Sequence, residues 1–192
     1  MFNFVWLILA APLLASMVNG VFGRRLGKVT AAIGIAAVGV AFVESLIVAA
    51  GVLGGARADA SFYGWIISGN FSVEIGYLLD PLTVVMLIVV TSVSLLVHIY
   101  SVGYMAHDRG FWRFFCYLAL FTFAMLLLVL ANNFLQLFIG WEGVGLCSYL
   151  LIGFWYERKS ATDAAIKAFV VNRIGDFGFT IGIIFIWLTF GS

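Results

Sequence analysis

Five ionisable side chains sit inside long apolar stretches of this sequence: Glu44, His98, Glu142, Arg173 and Asp176. Glu142 lies in Gly140-Trp141-Glu142-Gly143-Val144-Gly145, where small residues flank it on both sides and let a neighbouring backbone or a file of water approach. Burial favours its neutral form and a nearby Lys or Arg favours its ionised form, so a balanced carboxyl there can take up and release a proton. The alternative is a structural carboxyl hydrogen-bonded to a neighbouring helix. Arg173 and Asp176 are spaced i,i+3 and share one helix face. They read either as a self-neutralising pair or, with Lys167 about two turns away, as part of a polar track. His98 is followed by Tyr100 and Ser101 and is either a neutral hydrogen-bonded side chain or a proton relay, its ordinary pKa being about 6.5. Glu44 reads more readily as a carboxyl shielded by Ser45 and another helix than as a site.

The rest of the chain makes these positions expensive. Of 192 residues 64% are hydrophobic and 10% charged, and the mean hydropathy is +1.14. A soluble globule could not cover that much apolar surface, which excludes a cytosolic enzyme and a disordered segment. Ten Lys and Arg against nine Asp and Glu leave +1, so no basic excess argues for a nucleic-acid partner. The chain reads as an integral membrane protein, all-α, with the lipid bilayer as its surroundings. A charge near the bilayer centre costs roughly 2.5–3.5 kcal/mol on insertion scales and normally faces a bundle interior or a wet cavity. Charged groups at that depth on several helices therefore read as a hydrated path for protons or a small cation. Cys116 and Cys147 are too far apart for a metal or cluster motif and read as small hydrophobes. No metal site, cofactor-binding motif or catalytic nucleophile is expected in this chain.

About six spanning helices must position these groups, each needing about 20 mostly apolar residues. They are expected at about Asn3–Phe22, Val29–Leu53, Asp80–Met105, Phe111–Leu130, Phe134–Tyr156 and Ala164–Phe190. The first has no basic n-region and too long an apolar run for a signal peptide, so it reads as a retained helix. The connection from Gly54 to Leu79 holds β-prone stretches 61–67 and 72–77 around Ser68-Gly69-Asn70, which predicts a short surface β-hairpin. Asp80-Pro81 is a strong helix start, and Ser160 with Asp163 resembles a capping box. Residues 1–130 read as one unit, helices one to four with the hairpin. Residues 131–192 read as helices five and six, the start of a proton-channel half. At helical rise Glu142 falls about 13 Å into the fifth helix. The odd-numbered breaks carry Arg24, Arg25, Lys28, Arg109, Arg113, Arg158 and Lys159, and the even-numbered ones only Arg57. By the positive-inside rule this predicts cytoplasmic odd breaks and both termini outside.

Several blocks resemble one family. The run from Gly140 to Tyr156 (GWEGVGLCSYLLIGFWY), the run from Ala165 to Gly178 (AIKAFVVNRIGDFG), Leu79-Asp80-Pro81-Leu82 and the run from His98 to Met105 are similar to the antiporter-like membrane subunits of respiratory complex I, the chain L (mitochondrial subunit 5) family of NADH-quinone oxidoreductase. The resemblance implies a proton-translocating subunit in the bacterial inner membrane, with other membrane subunits of complex I as partners. It makes Glu142 a key proton-channel residue and includes Arg173 and Asp176 in the family pattern. It places NADH, FMN, iron–sulfur clusters and quinone on other subunits. Family members continue well beyond six helices, so the chain is expected to be a fragment. The expected lysine partner of Glu142 would lie beyond Ser192, and without it the neutral carboxyl is favoured. The large subunit of a multi-subunit cation/proton antiporter shares these blocks, and a scaffold without transport of its own is the reading from another class.

Overall fold

The computed structural model describes residues 2, 4–68 and 71–190. Six helices, α1 (Trp6–Leu26), α2 (Val29–Leu53), α3 (Pro81–Tyr104), α4 (Phe111–Val129), α5 (Phe134–Ile152) and α6 (Lys159–Phe190), are each long and apolar enough to cross a membrane. An antiparallel hairpin, β1 (Ala58–Ser68) and β2 (Phe71–Leu79), stands between α2 and α3. Its register shifts between Ser61 and Tyr63 and again between Gly64 and Ile66, two irregularities that bend the ribbon. Gly69 and Asn70, where the turn is expected, and Asn3, the expected helix start, fall outside the described residues.

Helices α1 to α4 pack together, α5 lies on α4, and α6 packs chiefly on α5. Two apolar cores cap this bundle. At the hairpin end Ile8, Val48, Leu79, Leu87 and Leu126 are fully buried together; at the opposite end Phe115 and Met105 join Phe111 and Phe154. The three basic turns gather at this second end, as the short connections of an up-and-down bundle require.

Helix ends differ from the expected ones where charge follows an apolar run. α1 continues through Arg24 and Arg25, which occupy its last turn, where cations suit the helix dipole. It stops at Gly27, whose φ of 54° L side chains rarely adopt. α5 ends at Ile152, not Tyr156, because Gly153 closes it with its N–H on Tyr149 O and packs against Ala165. α6 begins at Lys159, before the expected Ala164, so Ser160 lies inside the first turn and makes no capping box. Asp80 does cap α3: its Oδ1 accepts from Thr83 N–H at 2.7 Å, with Pro81 in the first turn. That bond holds the Asp80 carboxyl below the usual carboxylate range.

Candidate functional site

Glu142 is the ninth residue of the 19-residue α5, at its centre. Arg173 and Asp176 sit at the middle of the 32-residue α6, beside it. The guanidinium of Arg173 forms an ion pair with Glu142 Oε2 and reaches Asp176 Oδ2 with its Nε at 3.5 Å. The second contact is an ion pair without hydrogen-bond geometry, since Nε has no hydrogen-bond partner. Trp141 donates its indole N–H to Asp176 Oδ1 at 2.8 Å. Asp176 is 5% exposed, and the guanidinium also lies 4.7 Å from the Phe169 ring centroid. Two carboxylates thus share one cation at mid-helix depth, with a neutral indole donor on the more buried of the two.

The glycines around Glu142 divide the work. A Cβ at Gly140 would fall 2.6 Å from Leu128 N and 2.7 Å from its Cα, and one at Gly143 would lie 3.0 Å from Ala124 Cβ. These two set the close α4–α5 approach. Gly145 faces α6 instead, with Asn172 Nδ2 and Arg173 Nη2 at 3.7 and 3.8 Å from the Cβ it lacks. Asp176 and Trp141 also line an open cavity of about 480 Å³ between α4, α5 and α6.

The other sequence candidates fall elsewhere. Lys167 is exposed on α6 and belongs to neither ion pair found among the described residues. His98 is fully buried in α3, apart from the α5–α6 group. Its Nδ1 lies 2.8 Å from Ser94 O, and a carbonyl only accepts, so Nδ1 carries a proton. Ser94 Oγ bonds Thr122 Oγ1 of α4 at 2.6 Å, while His98 Nε2 is buried without a partner beside Gly34 of α2. Glu44, half-buried on α2, makes no hydrogen bond or ion pair among the described residues. No group of three or more His, Cys, Asp or Glu able to hold a metal occurs among the described residues.

Two features exceed what the sequence foresaw. Glu142 has a cation within this chain, so the expectation of an unpartnered neutral carboxyl is replaced by a shared ion pair. Reading Arg173 only along its own helix hid this, because the i,i+3 neighbour Asp176 already satisfied it. The second is a clamp at the hairpin end of α5. Gln136, fully buried, accepts from Gly76 N–H at 2.8 Å and donates to Gly76 O at 2.9 Å. Asn133 Nδ2 donates to Glu74 O at 2.7 Å and Leu78 N–H to Leu130 O at 3.0 Å. The hairpin is thereby bonded to the α4–α5 turn.

Residues 65–115 match the family model described as "NADH-Ubiquinone oxidoreductase (complex I), chain 5 N-terminus". Residues 131–192 match the one described as "NADH:quinone oxidoreductase/Mrp antiporter, TM". The chain is 49% identical over 193 residues to NADH-quinone oxidoreductase subunit L of Neisseria meningitidis, covering 98% of this chain and 29% of that protein. It is 50% identical over 192 residues to the subunit L of Rickettsia typhi, covering 99% of this chain and again 29% of the relative. The chain therefore spans about 29% of the length of these relatives. Among solved structures, a membrane-bound sulfane sulfur reductase, described as an archaeal respiratory membrane complex, superposes with TM-score 0.83 at 17% identity, over 97% of this chain and 37% of that one. The Mrp complex of Dietzia superposes with TM-score 0.81 at 24% identity, over 98% of this chain and 20% of that one. Both likenesses concern the fold.

Proposed function

The chain belongs to the family of antiporter-like membrane subunits of NADH-quinone oxidoreductase, and from that membership we propose that it corresponds to the N-terminal stretch of a proton-translocating subunit of such a complex. The observation that carries this reading is the bridge of Glu142, Arg173 and Asp176 between α5 and α6 at mid-helix depth. A carboxylate beside a cation that a second carboxylate also claims changes its proton affinity when that cation shifts its allegiance. Glu142 is the proton-exchanging group and Arg173 the movable cation. Asp176, tethered by Trp141, is the competing anion, and Lys167 extends the track toward the basic end. His98 serves as a second relay group through its unpartnered Nε2, since its Nδ1–H is held on Ser94 O. NADH, flavin, iron–sulfur and quinone chemistry belongs to other subunits, and those membrane subunits are this chain's partners. The basic turns face the cytoplasm of a bacterial inner membrane and the termini face the periplasm.

Glu142→Gln in the full-length subunit tests this. Protons moved per electron fall while the complex still assembles, and unchanged pumping removes Glu142 from the path. A second reading, the large subunit of a multi-subunit cation/proton antiporter, draws on the Mrp likeness. Deleting the full gene then abolishes cation/proton exchange and leaves NADH-driven quinone reduction in membranes untouched.

A further inference from the structure

Beyond the proton site, two cavities meet at the basic end of the bundle and differ in character. The larger, an open pocket of about 710 Å³, is lined by Arg24, Arg109, Arg113 and Arg158 with Trp112 and Trp155. The smaller, about 200 Å³, shares Arg113, Phe154 and Tyr156 with it and continues along Tyr117, Tyr149 and Leu150. A charged chamber thus opens into an aromatic and aliphatic groove between α4, α5 and the start of α6, where Thr162 and Ala165 line it.

The guanidiniums outnumber the carboxylates that line the pocket, four against Asp108 and Glu157, so the chamber keeps a positive excess. None of these four arginines is in an ion pair among the described residues. Asp108 lines the pocket but both its oxygens are engaged, Oδ1 by Gly110 N–H at 2.6 Å and Oδ2 by Trp155 Nε1 at 2.9 Å. Arg113 is held in place by donating to Phe154 O at 3.1 Å and by lying 4.8 Å from the Phe154 ring and 5.1 Å from the Tyr156 ring. Its Nε is buried with no partner. Arg158 stacks 5.1 Å over Trp155 and Arg24 lies 6.0 Å from Trp112. The N terminus of α4, capped by no side chain at Gly110, opens on the same pocket and adds its positive dipole end. Aromatic rings beside several guanidiniums at a helix-bundle end are the chemistry of the lipid headgroup layer. Basic pockets between transmembrane helices bind anionic headgroups.

We propose that this pair of cavities is a binding site for an anionic phospholipid, its phosphate among the four arginines and the start of one acyl chain in the groove at Tyr149 and Leu150. The shared chemistry is a phosphate mono- or diester; the attached apolar groove selects the lipid over a soluble phosphate.

The test uses the full-length subunit in its intact complex, in nanodiscs of phosphatidylcholine with and without phosphatidylglycerol carrying a photoreactive acyl chain. Crosslinks at Tyr149 and Leu150 that depend on the anionic headgroup are expected. Arg24→Gln with Arg158→Gln changes two exposed side chains that hold no backbone group, and weakens phosphatidylglycerol binding roughly thirtyfold, at about fivefold per charge. Leu150→Trp, which fills the groove and leaves every arginine, removes the crosslink. Unchanged lipid affinity in the double variant overturns the proposal. So does competition by inorganic phosphate as effective as that by lipid, which marks a soluble anion. Loss of a neighbouring subunit with lipid retention unchanged also overturns it, marking an acidic protein segment.

Discussion

Gln136 and Glu142 stand six positions apart on one helix and put polarity to opposite uses. Gln136 spends both ends of its amide on the backbone of a single residue, Gly76, and is fully buried. Neither partner titrates, so nothing in ordinary solution chemistry loosens the clamp. The Glu142 side chain is 23% exposed and meets a guanidinium that Asp176 also claims, on a helix whose outward face is largely uncovered within this chain. Buried, fully satisfied polar groups rigidify, and removing one partner costs the desolvation of the other. A bridge in which two carboxylates share one cation responds to any change of charge nearby. The helix is therefore anchored at its hairpin end and responsive at its centre.

The largest expected effect comes from a position between the two. Gly140→Leu drives a side chain into the Leu128 backbone, which cannot yield as a flexible side chain would. Overpacking of that kind costs more than about 3 kcal/mol and separates α4 from α5. Both the anchor and the bridge are then lost, seen as little assembled subunit in the membrane. Wild-type yield and melting midpoint in that variant would show that the seam is looser than the helix approach implies.

Gln136→Leu breaks the anchor alone. It keeps the volume roughly but strands Gly76 N–H and C=O, a loss of roughly 2–6 kcal/mol at about 1–3 kcal/mol per buried group. A lower melting midpoint of the full-length subunit is expected, with pumping per electron preserved in the complexes that still assemble. If pumping falls as steeply as stability, anchor and centre are one unit and the contrast fails.

Arg173→Gln breaks the bridge alone. Its stability effect should be about 3 kcal/mol at most, because at mid-helix depth of a spanning helix no water screens the two carboxylates left without their cation, and protonation of one of them limits the loss. Proton translocation should drop several-fold, since Glu142 loses the cation that distinguishes its two protonation states. A large fall in melting midpoint with translocation intact would make Arg173 a second anchor.

How much of this could be read from the residues depends on the distance over which each interaction is specified. The six helices and the hairpin follow from apolar run length and from Asp80-Pro81, and both are local. Helix ends were misplaced at Arg24-Arg25 and Lys159 because hydropathy marks where the membrane stops, whereas a helix continues until a residue such as Gly27 ends it. The α5–α6 bridge was half legible: Glu142, Arg173 and Asp176 stood out as costly, yet which carboxylate the arginine meets depends on how two helices face each other. The Gln136 clamp was not legible, since a single amide near a helix start resembles any other. Only the return of β2 to within bonding distance, 60 residues away in sequence, gives it meaning.

The smallest expected effect comes from an ionisable group put to the anchoring use. Asp80 accepts the Thr83 backbone N–H, and its carboxyl is held below its ordinary range chiefly by that bond. A carboxylate whose folded pKa is depressed contributes its full stability above the unfolded value and loses it as pH falls through the folded one. Asp80→Ala should therefore cost about 1 kcal/mol near neutral pH, the usual worth of such a cap, and the gap to wild type should close below roughly pH 4. Asp80→Asn keeps an acceptor without a titrating proton, so its melting midpoint should lie near wild type at neutral pH and show less loss on acidification. An Ala variant whose deficit persists undiminished in acid would mean that the Asp80 charge is not what holds the start of α3.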